Sequence, residues 1–293
     1  MSSIKLIYWN DVKNIGDQLS LYIIHKLSGL SVVHRRAYVS GFKGGVLCLF
    51  IKLLLHRISF KQFFETPFFY EKTLLAIGSV ISWGNKRSVI WGSGFMNSNE
   101  IFRGGKVYAV RGKLTSDRLV KLGFKRCDIW GDPALLLPLL IPPTFIKSVD
   151  IAIIPHWTEV DYFKEKYGGM YKIIDVRTDD VEYFVKELTS CQYILSTSLH
   201  GIILSHAYQI PALWIKRGYI YTDGFKFFDY FSSVDIPFYD GLRDFDSFLQ
   251  NRNWKQLFVD YESYSLPQKD LNIICKHLIE VAPFKVLEQY SNK

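Results

Sequence analysis

Short apolar runs alternate with amphipathic stretches along most of the chain, and the alternation occurs in two sets. In the first set, residues 4–9, 73–77, 89–91 and 107–110 read as strands. Each is a nearly unbroken apolar run, the pattern of a parallel strand covered on both faces. Leu19, Tyr22, Ile23 and Leu27 mark a helix face between them, and residues 113–122 read as a helix stopped by Gly123. Pro138, Pro142 and Pro143 then interrupt the pattern. Beyond them, residues 150–154, 172–176, 193–195 and 212–215 read as strands, and 200–208 as a helix. Val181, Phe184, Val185 and Leu188 keep i, i+3, i+4, i+7 spacing, and Leu271, Ile274, Cys275, Leu278 and Ile279 give a last helix face.

Strand–helix–strand repeated on both sides of a proline-rich break predicts an α/β fold. The expected form is two Rossmann-like, doubly wound domains facing each other across a cleft, at residues 1–145 and 146–293. The length of 293 residues suits two such units. Ligands of open parallel sheets bind beyond the carboxyl ends of the strands, so the cleft is the expected site.

Composition removes whole classes. With 48% hydrophobic and 22% charged residues the chain is neither disordered nor fibrous. The longest apolar stretch, 46–55, is broken by Lys52 and falls short of the ~20 residues that span a bilayer. No secretory leader is expected from the opening residues. Cys48, Cys127, Cys191 and Cys275 lie far apart, so a disulfide framework or zinc site is not expected and a reducing cytoplasm is.

The net charge of +8 is concentrated. Between Gln18 and Phe64 stand Lys26, Arg35, Arg36, Lys43, Lys52, Arg57 and Lys61, with no Asp or Glu. Residues 41–61 join those cations to an aliphatic run. The segment is therefore expected to touch an anionic membrane surface, as a peripheral contact at the inner face of the cell membrane. A buried helix with solvated basic ends is the competing reading. Nucleic acid is not expected as a partner, because the cations are interleaved with aliphatic residues and not with stacking platforms.

Four junctions combine glycine with small polar groups: Asn14-Ile15-Gly16-Asp17, Trp91-Gly92-Ser93-Gly94, Arg111-Gly112-Lys113-Leu114-Thr115 and Ser196-Thr197-Ser198-Leu199-His200-Gly201. Turns of this kind suit an anion, and they are equally ordinary structural turns. Neither G-x-G-x-x-G nor G-x-x-x-x-G-K-[ST] occurs, which disfavours ordinary dinucleotide or P-loop binding. The D-x-D string Asp244-Phe245-Asp246 and the pair Glu280 and Glu288 are read as coincidences; no catalytic metal and no cofactor are expected.

These elements, in this order and together with Gly131-Asp132-Pro133-Ala134, Ala207 and Pro211, resemble the polysaccharide pyruvyl transferase family over about residues 10–215. The resemblance implies a GT-B-like pair of domains. It also implies transfer of a pyruvyl group from phosphoenolpyruvate to a sugar of a cell-surface polysaccharide precursor, as a ketal. A sugar acceptor carried on a lipid fits the basic-apolar segment. A GT-B glycosyltransferase using a nucleotide sugar is the alternative, and a non-catalytic membrane scaffold a third.

Such chemistry needs cations for a phosphate and a carboxylate, a general acid and a base. The resemblance points to His200 for acid/base work, against a core histidine. Arg111 is expected as a catalytic and donor contact, against a structural ion pair. Arg177, Lys216, Ser196, Ser198, Gly201 and His156 complete the expected donor side. Asn14, Gly16, Asp17, Ser93 and Gly94 are expected on the acceptor side, with helix capping as the equal alternative for Asn14 and Asp17. Asp132 and Thr115 are expected to orient the others, or, for Asp132, simply to form a turn. Some branches of the family carry an Arg two residues before the His; here that position is Ser198, so another cation must serve.

Overall fold

The computed structural model describes residues 3–36, 45–65, 71–144, 146–218 and 221–291. Two parallel sheets organise them. The first contains β1 (Ile4–Ile7), β2 (Val32–Arg35), β3 (Thr73–Leu75), β4 (Ser88–Trp91) and β5 (Lys106–Ala109), in the order β2-β1-β3-β4-β5. The second contains β6 (Val149–Ile154), β7 (Lys172–Ile173), β8 (Cys191–Ser196) and β9 (Ala212–Trp214), in the order β7-β6-β8-β9. The apolar runs became these strands because both faces are covered: Leu6, Ile7, Ile90, Ile153 and Leu195 are fully buried. The pattern did not reveal β2, a short edge strand that is only partly buried.

Each sheet reverses its strand order once, between β1 and β3 and between β6 and β8. Loops leaving the carboxyl ends of such a strand pair diverge to opposite sides and leave a crevice. The fold thus has two crevices, one per sheet.

The helices between the strands are α1 (Ile15–Ser28), α2 (Gly45–Leu54), α3 (Phe60–Glu65), α4 (Lys113–Lys121), α5 (Val160–Tyr167), α6 (Val181–Thr189) and α7 (Leu199–Ala207). After β9 come α8 (Phe225–Val234), α9 (Phe245–Gln250), α10 (Trp254–Asp260), α11 (Leu271–Glu280) and α12 (Glu288–Ser291). Helix α1 shows why the local sequence folds as it does. Asn14 is extended and its side chain accepts the Gly16 N–H, and Gly29 closes the helix in the left-handed region at φ 68°. Leu19, Ile23, Ile24 and Leu27 form its buried stripe.

The proline-rich break is not a free linker. Pro133–Leu139 forms a buried 3-10 helix, N-capped by Asp132, that packs on α1, α7 and α11. Leu6 and Leu19 from the first half share one continuous core with Ala152, Ile154 and Ile202 from the second. Backbone and indole groups also cross between the halves: Ile15 N–H donates to the Val176 carbonyl, and Trp91 Nε1–H to the Leu278 carbonyl.

Helices α2 and α3 pack on each other and bury Phe63, while Phe50, Ile51, Leu54, Leu55, Phe60 and Phe64 stay exposed. Of the basic-apolar segment, residues 41–44 lie outside the described residues. Among the described residues no helix is long and apolar enough to cross a membrane.

Candidate active site

The two crevices open into one cavity of ≈ 240 Å³. Trp9 and Asn14 reach it from the loop after β1, Asp17 from the first turn of α1, and Gly78, Ser79 and Val80 from the loop after β3. His156 and Trp157 follow β6, while Ser198, Leu199 and His200 follow β8. Tyr221 and Lys226 close it from beyond β9. Both strand-order reversals therefore point at the same space. Trp9 and Trp157 both line it and touch each other, with ring centroids 5.4 Å apart.

His200 opens α7 and presses against the first half. A Cβ placed on Gly16 would lie 2.1 Å from His200 Nδ1, so only a glycine at position 16 admits the imidazole. Nε2 of His200 is buried and has no hydrogen-bond partner. Burial, reinforced by repulsion from Lys226 and Arg111, pushes the imidazole down to about 3. It is neutral at pH 7, and can take a proton but not begin as the donor.

Lys226, in the first turn of α8, is the cation of this cavity. It is only 6% exposed and forms no salt bridge to a described carboxylate. Burial, together with repulsion from Arg111 and opposed by Asp17, lowers its ammonium to about 8. Asp17 faces it in the same cavity. Burial raises that carboxyl to about 8 even though Lys226 pulls the other way. Burial thus favours the carboxylic acid form of Asp17, while Lys226, at about 8, still holds its proton at neutral pH. One group can give a proton, one can receive it, and one can bind an anion.

The expectation of Arg111 as a donor contact is corrected by its surroundings. Its side chain is fully buried and does not line the cavity. Nε donates to Asp229 Oδ2 at 2.9 Å, Nη1 to Ser79 Oγ at 2.6 Å and Nη2 to the Phe95 carbonyl at 2.5 Å. Its hydrogen bond to the cavity lining goes to Ser79, and its charge is felt by His200 and Lys226. Thr115 belongs to the same cluster, giving both its backbone N–H and its hydroxyl to Asp229. Gly94 leaves room for the guanidinium, since a Cβ there would come within 2.5 Å of Nη2.

Arg177 is likewise not brought to the cavity. It is committed to Asp175 and Asp161, at 2.9 and 2.8 Å. Lys216 pairs with Asp240 at 2.6 Å and lines a neighbouring cavity instead. Of the hydroxyls, Ser198 lines the cavity, whereas Ser196 is spent inside the turn, donating to the Ile154 carbonyl and accepting the Ser198 N–H. Gly201 packs against Ser196, and Ser93 donates to the Gly78 carbonyl beneath the cavity floor. Asp132 caps the 3-10 helix through the Ala134 N–H and bonds neither Arg111 nor His200. His156 lines the cavity, and burial with repulsion from Lys226 pushes it to about 3.

Sequence reading missed Lys226, Trp9 and Trp157. A signal for Lys226 existed: it stands with Asp229 one turn apart in the otherwise aromatic run Phe225-Lys226-Phe227-Phe228-Asp229-Tyr230-Phe231, where a charge must be buried. Asp246 of the D-x-D string pairs with Lys166 at 2.6 Å. Among the described residues, no three His, Cys, Asp or Glu side chains cluster to hold a metal.

An uncharacterized protein of Acanthamoeba polyphaga mimivirus is 28% identical over 248 residues, covering 76% of this chain and 83% of that protein. Residues 61–219, more than half of the chain, match the description polysaccharide pyruvyl transferase. That span runs from α3 through β9 and takes in His156, Ser198 and His200, so the chain belongs to the polysaccharide pyruvyl transferase family.

Proposed function

We propose that this transferase moves pyruvate from phosphoenolpyruvate onto two hydroxyls of a sugar, forming a ketal, and that the sugar is a lipid-linked polysaccharide precursor. One observation carries the reading: a buried lysine with no salt bridge to a described carboxylate, a carboxyl that burial keeps protonated and a neutral imidazole share a cavity at the carboxyl ends of two parallel sheets. The two sheets act as GT-B-like halves around the cavity.

Phosphoenolpyruvate carries a phosphate and a carboxylate. Lys226 and the amino-terminal turns of α7 and α8 supply positive potential for them. Asp17 gives its proton to the methylene carbon, and the neighbouring carbon becomes oxocarbenium-like. One sugar hydroxyl attacks that carbon while His200 takes its proton. The carbon–oxygen bond to phosphate then breaks, phosphate leaving with the proton held by His200, and the second hydroxyl closes the ketal ring as its proton passes to the Asp17 carboxylate, so both side chains return to their starting states. Trp9 and Trp157 offer ring faces to the sugar.

The α2–α3 hairpin supports a lipid-linked acceptor at the cytoplasmic face of the membrane. Leu54 and Phe60 are 69% and 72% exposed, and residues 18–64 carry cations without acids before Glu65 closes α3.

The test is release of inorganic phosphate from phosphoenolpyruvate in the presence of lipid-linked sugars, with His200→Ala as control. Phosphate release dependent on acceptor and lost in the variant is expected. Nucleotide release from a nucleotide sugar, with phosphoenolpyruvate inert, would contradict the proposal and favour a glycosyltransferase.

A further inference from the structure

A second and larger cavity, ≈ 410 Å³, adjoins the first. The same two stretches wall both: Thr197, Thr222 and Gly224 face the larger one, where their near neighbours Ser198, Tyr221 and Lys226 face the smaller. It lies at the same carboxyl-end edge, beyond β8 and β9.

Its chemistry is different. Lys216, Arg217 and Arg243 line it. Lys216 and Arg243 share the single carboxylate of Asp240, at 2.6 and 3.6 Å. Arg217 is stacked 3.6 Å over the Tyr162 ring and stands 3.8 Å from Glu159, too far for a hydrogen bond. Each guanidinium is thus only loosely engaged, Arg217 by Glu159 and Arg243 by an Asp240 carboxylate that Lys216 holds more closely. Two further lining residues carry buried polar atoms with no partner, Glu159 Oε2 and Trp214 Nε1. Forked cationic donors suit phosphate oxygens, and an orphan acceptor and an orphan donor in one lining each suit a hydroxyl, which satisfies either.

We infer that this cavity binds the sugar-phosphate part of the acceptor, with Arg217 and Arg243 on a phosphate or diphosphate and Glu159 and Trp214 on a sugar hydroxyl. The inference rests on the reading of the adjoining cavity as the reaction site, since the acceptor must reach from one into the other. A diphosphate carried on a lipid and one carried on a nucleotide present the same group here.

The full chain is titrated calorimetrically with inorganic pyrophosphate and, separately, with phosphoenolpyruvate. Wild type, the Arg217→Ala/Arg243→Ala double variant and Lys226→Met are compared. Both arginines are substantially exposed, at 42% and 58%, so their removal leaves the core intact. The double variant is expected to weaken pyrophosphate binding at least about tenfold and to leave phosphoenolpyruvate binding unchanged. Lys226→Met is expected to do the reverse. Pyrophosphate binding that ignores the arginines, or depends on Lys226 instead, overturns the inference. If phosphoenolpyruvate fails to bind wild type while pyrophosphate still depends on the arginines, the reaction-site reading fails; the larger cavity then stands as a diphosphate site and its assignment to the acceptor is overturned. A short-chain polyprenyl diphosphate sugar and a uridine diphosphate sugar then compete with bound pyrophosphate: displacement by either supports the inference and identifies the carrier, and displacement by neither overturns it.

Discussion

Replacing Lys226 with Met should make the protein more stable and less able to bind its donor. The ammonium is 6% exposed and its value falls from the ordinary 10.5 to about 8. At 1.36 kcal/mol per unit, keeping the lysine charged in the folded chain costs about 3 kcal/mol. The folded-state value is lowered, so the unfolded chain holds the proton more tightly. The cost is absent above pH 10.5, grows as the pH falls toward 8, and is complete below it. Met keeps most of the side chain's volume and has no charge to bury. Guanidinium unfolding at pH 7 should therefore show Lys226→Met more stable than wild type by up to about 3 kcal/mol, with the difference fading near pH 11. In the same protein, phosphoenolpyruvate affinity should fall by about 1.5–3 kcal/mol, the worth of a hydrogen bond to a charged group, or roughly 10- to 150-fold. A variant that loses stability at pH 7, or binds phosphoenolpyruvate as wild type does, refutes the role given to this lysine.

Asp17 sets the upper pH limit of turnover. Its carboxyl, raised to about 8, must be protonated to act, so the rate should fall as pH rises through 8, and Asp17→Asn should cost at least about a hundredfold. Gly16→Ala forces a methyl group to 2.1 Å from His200 Nδ1; a loss of about 1–3 kcal/mol in thermal unfolding, with turnover abolished, is expected. Asp229→Ala strands the fully buried Arg111 and should destabilise by about 3–5 kcal/mol, measured by denaturant titration. Leu54→Asp with Phe60→Asp should release the chain from anionic vesicles in co-sedimentation while leaving its melting temperature unchanged, because both side chains are exposed.

The strands were legible because parallel strands covered on both faces leave continuous apolar runs, and β6 and β8 pair over Ile151–Tyr193 and Ile153–Leu195 as such runs require. The turn carrying His200 was legible for the same reason: it sits where an apolar run gives way to a helix. Partners distant in sequence were not legible. Arg111 looked available because its carboxylate, Asp229, lies 118 residues further on. Lys216 looked equally available, yet Asp240 holds it, and Arg177 is held by Asp161 as well as by its near neighbour Asp175. Lys226 was hidden in the opposite way. The aromatic residues around it read as core, and only the packing of α8 beside α4 and α7 shows that its ammonium reaches a cavity.

The most direct measurement is the crystal structure of the chain with phosphoenolpyruvate bound. Density for the donor should lie between Lys226, Ser198 and His200, with its methylene carbon toward Asp17 and the indoles of Trp9 and Trp157 flanking the remaining space. Density seated instead among Arg217, Arg243 and Lys216, with the smaller cavity empty, would contradict the assignment of the donor to that smaller cavity.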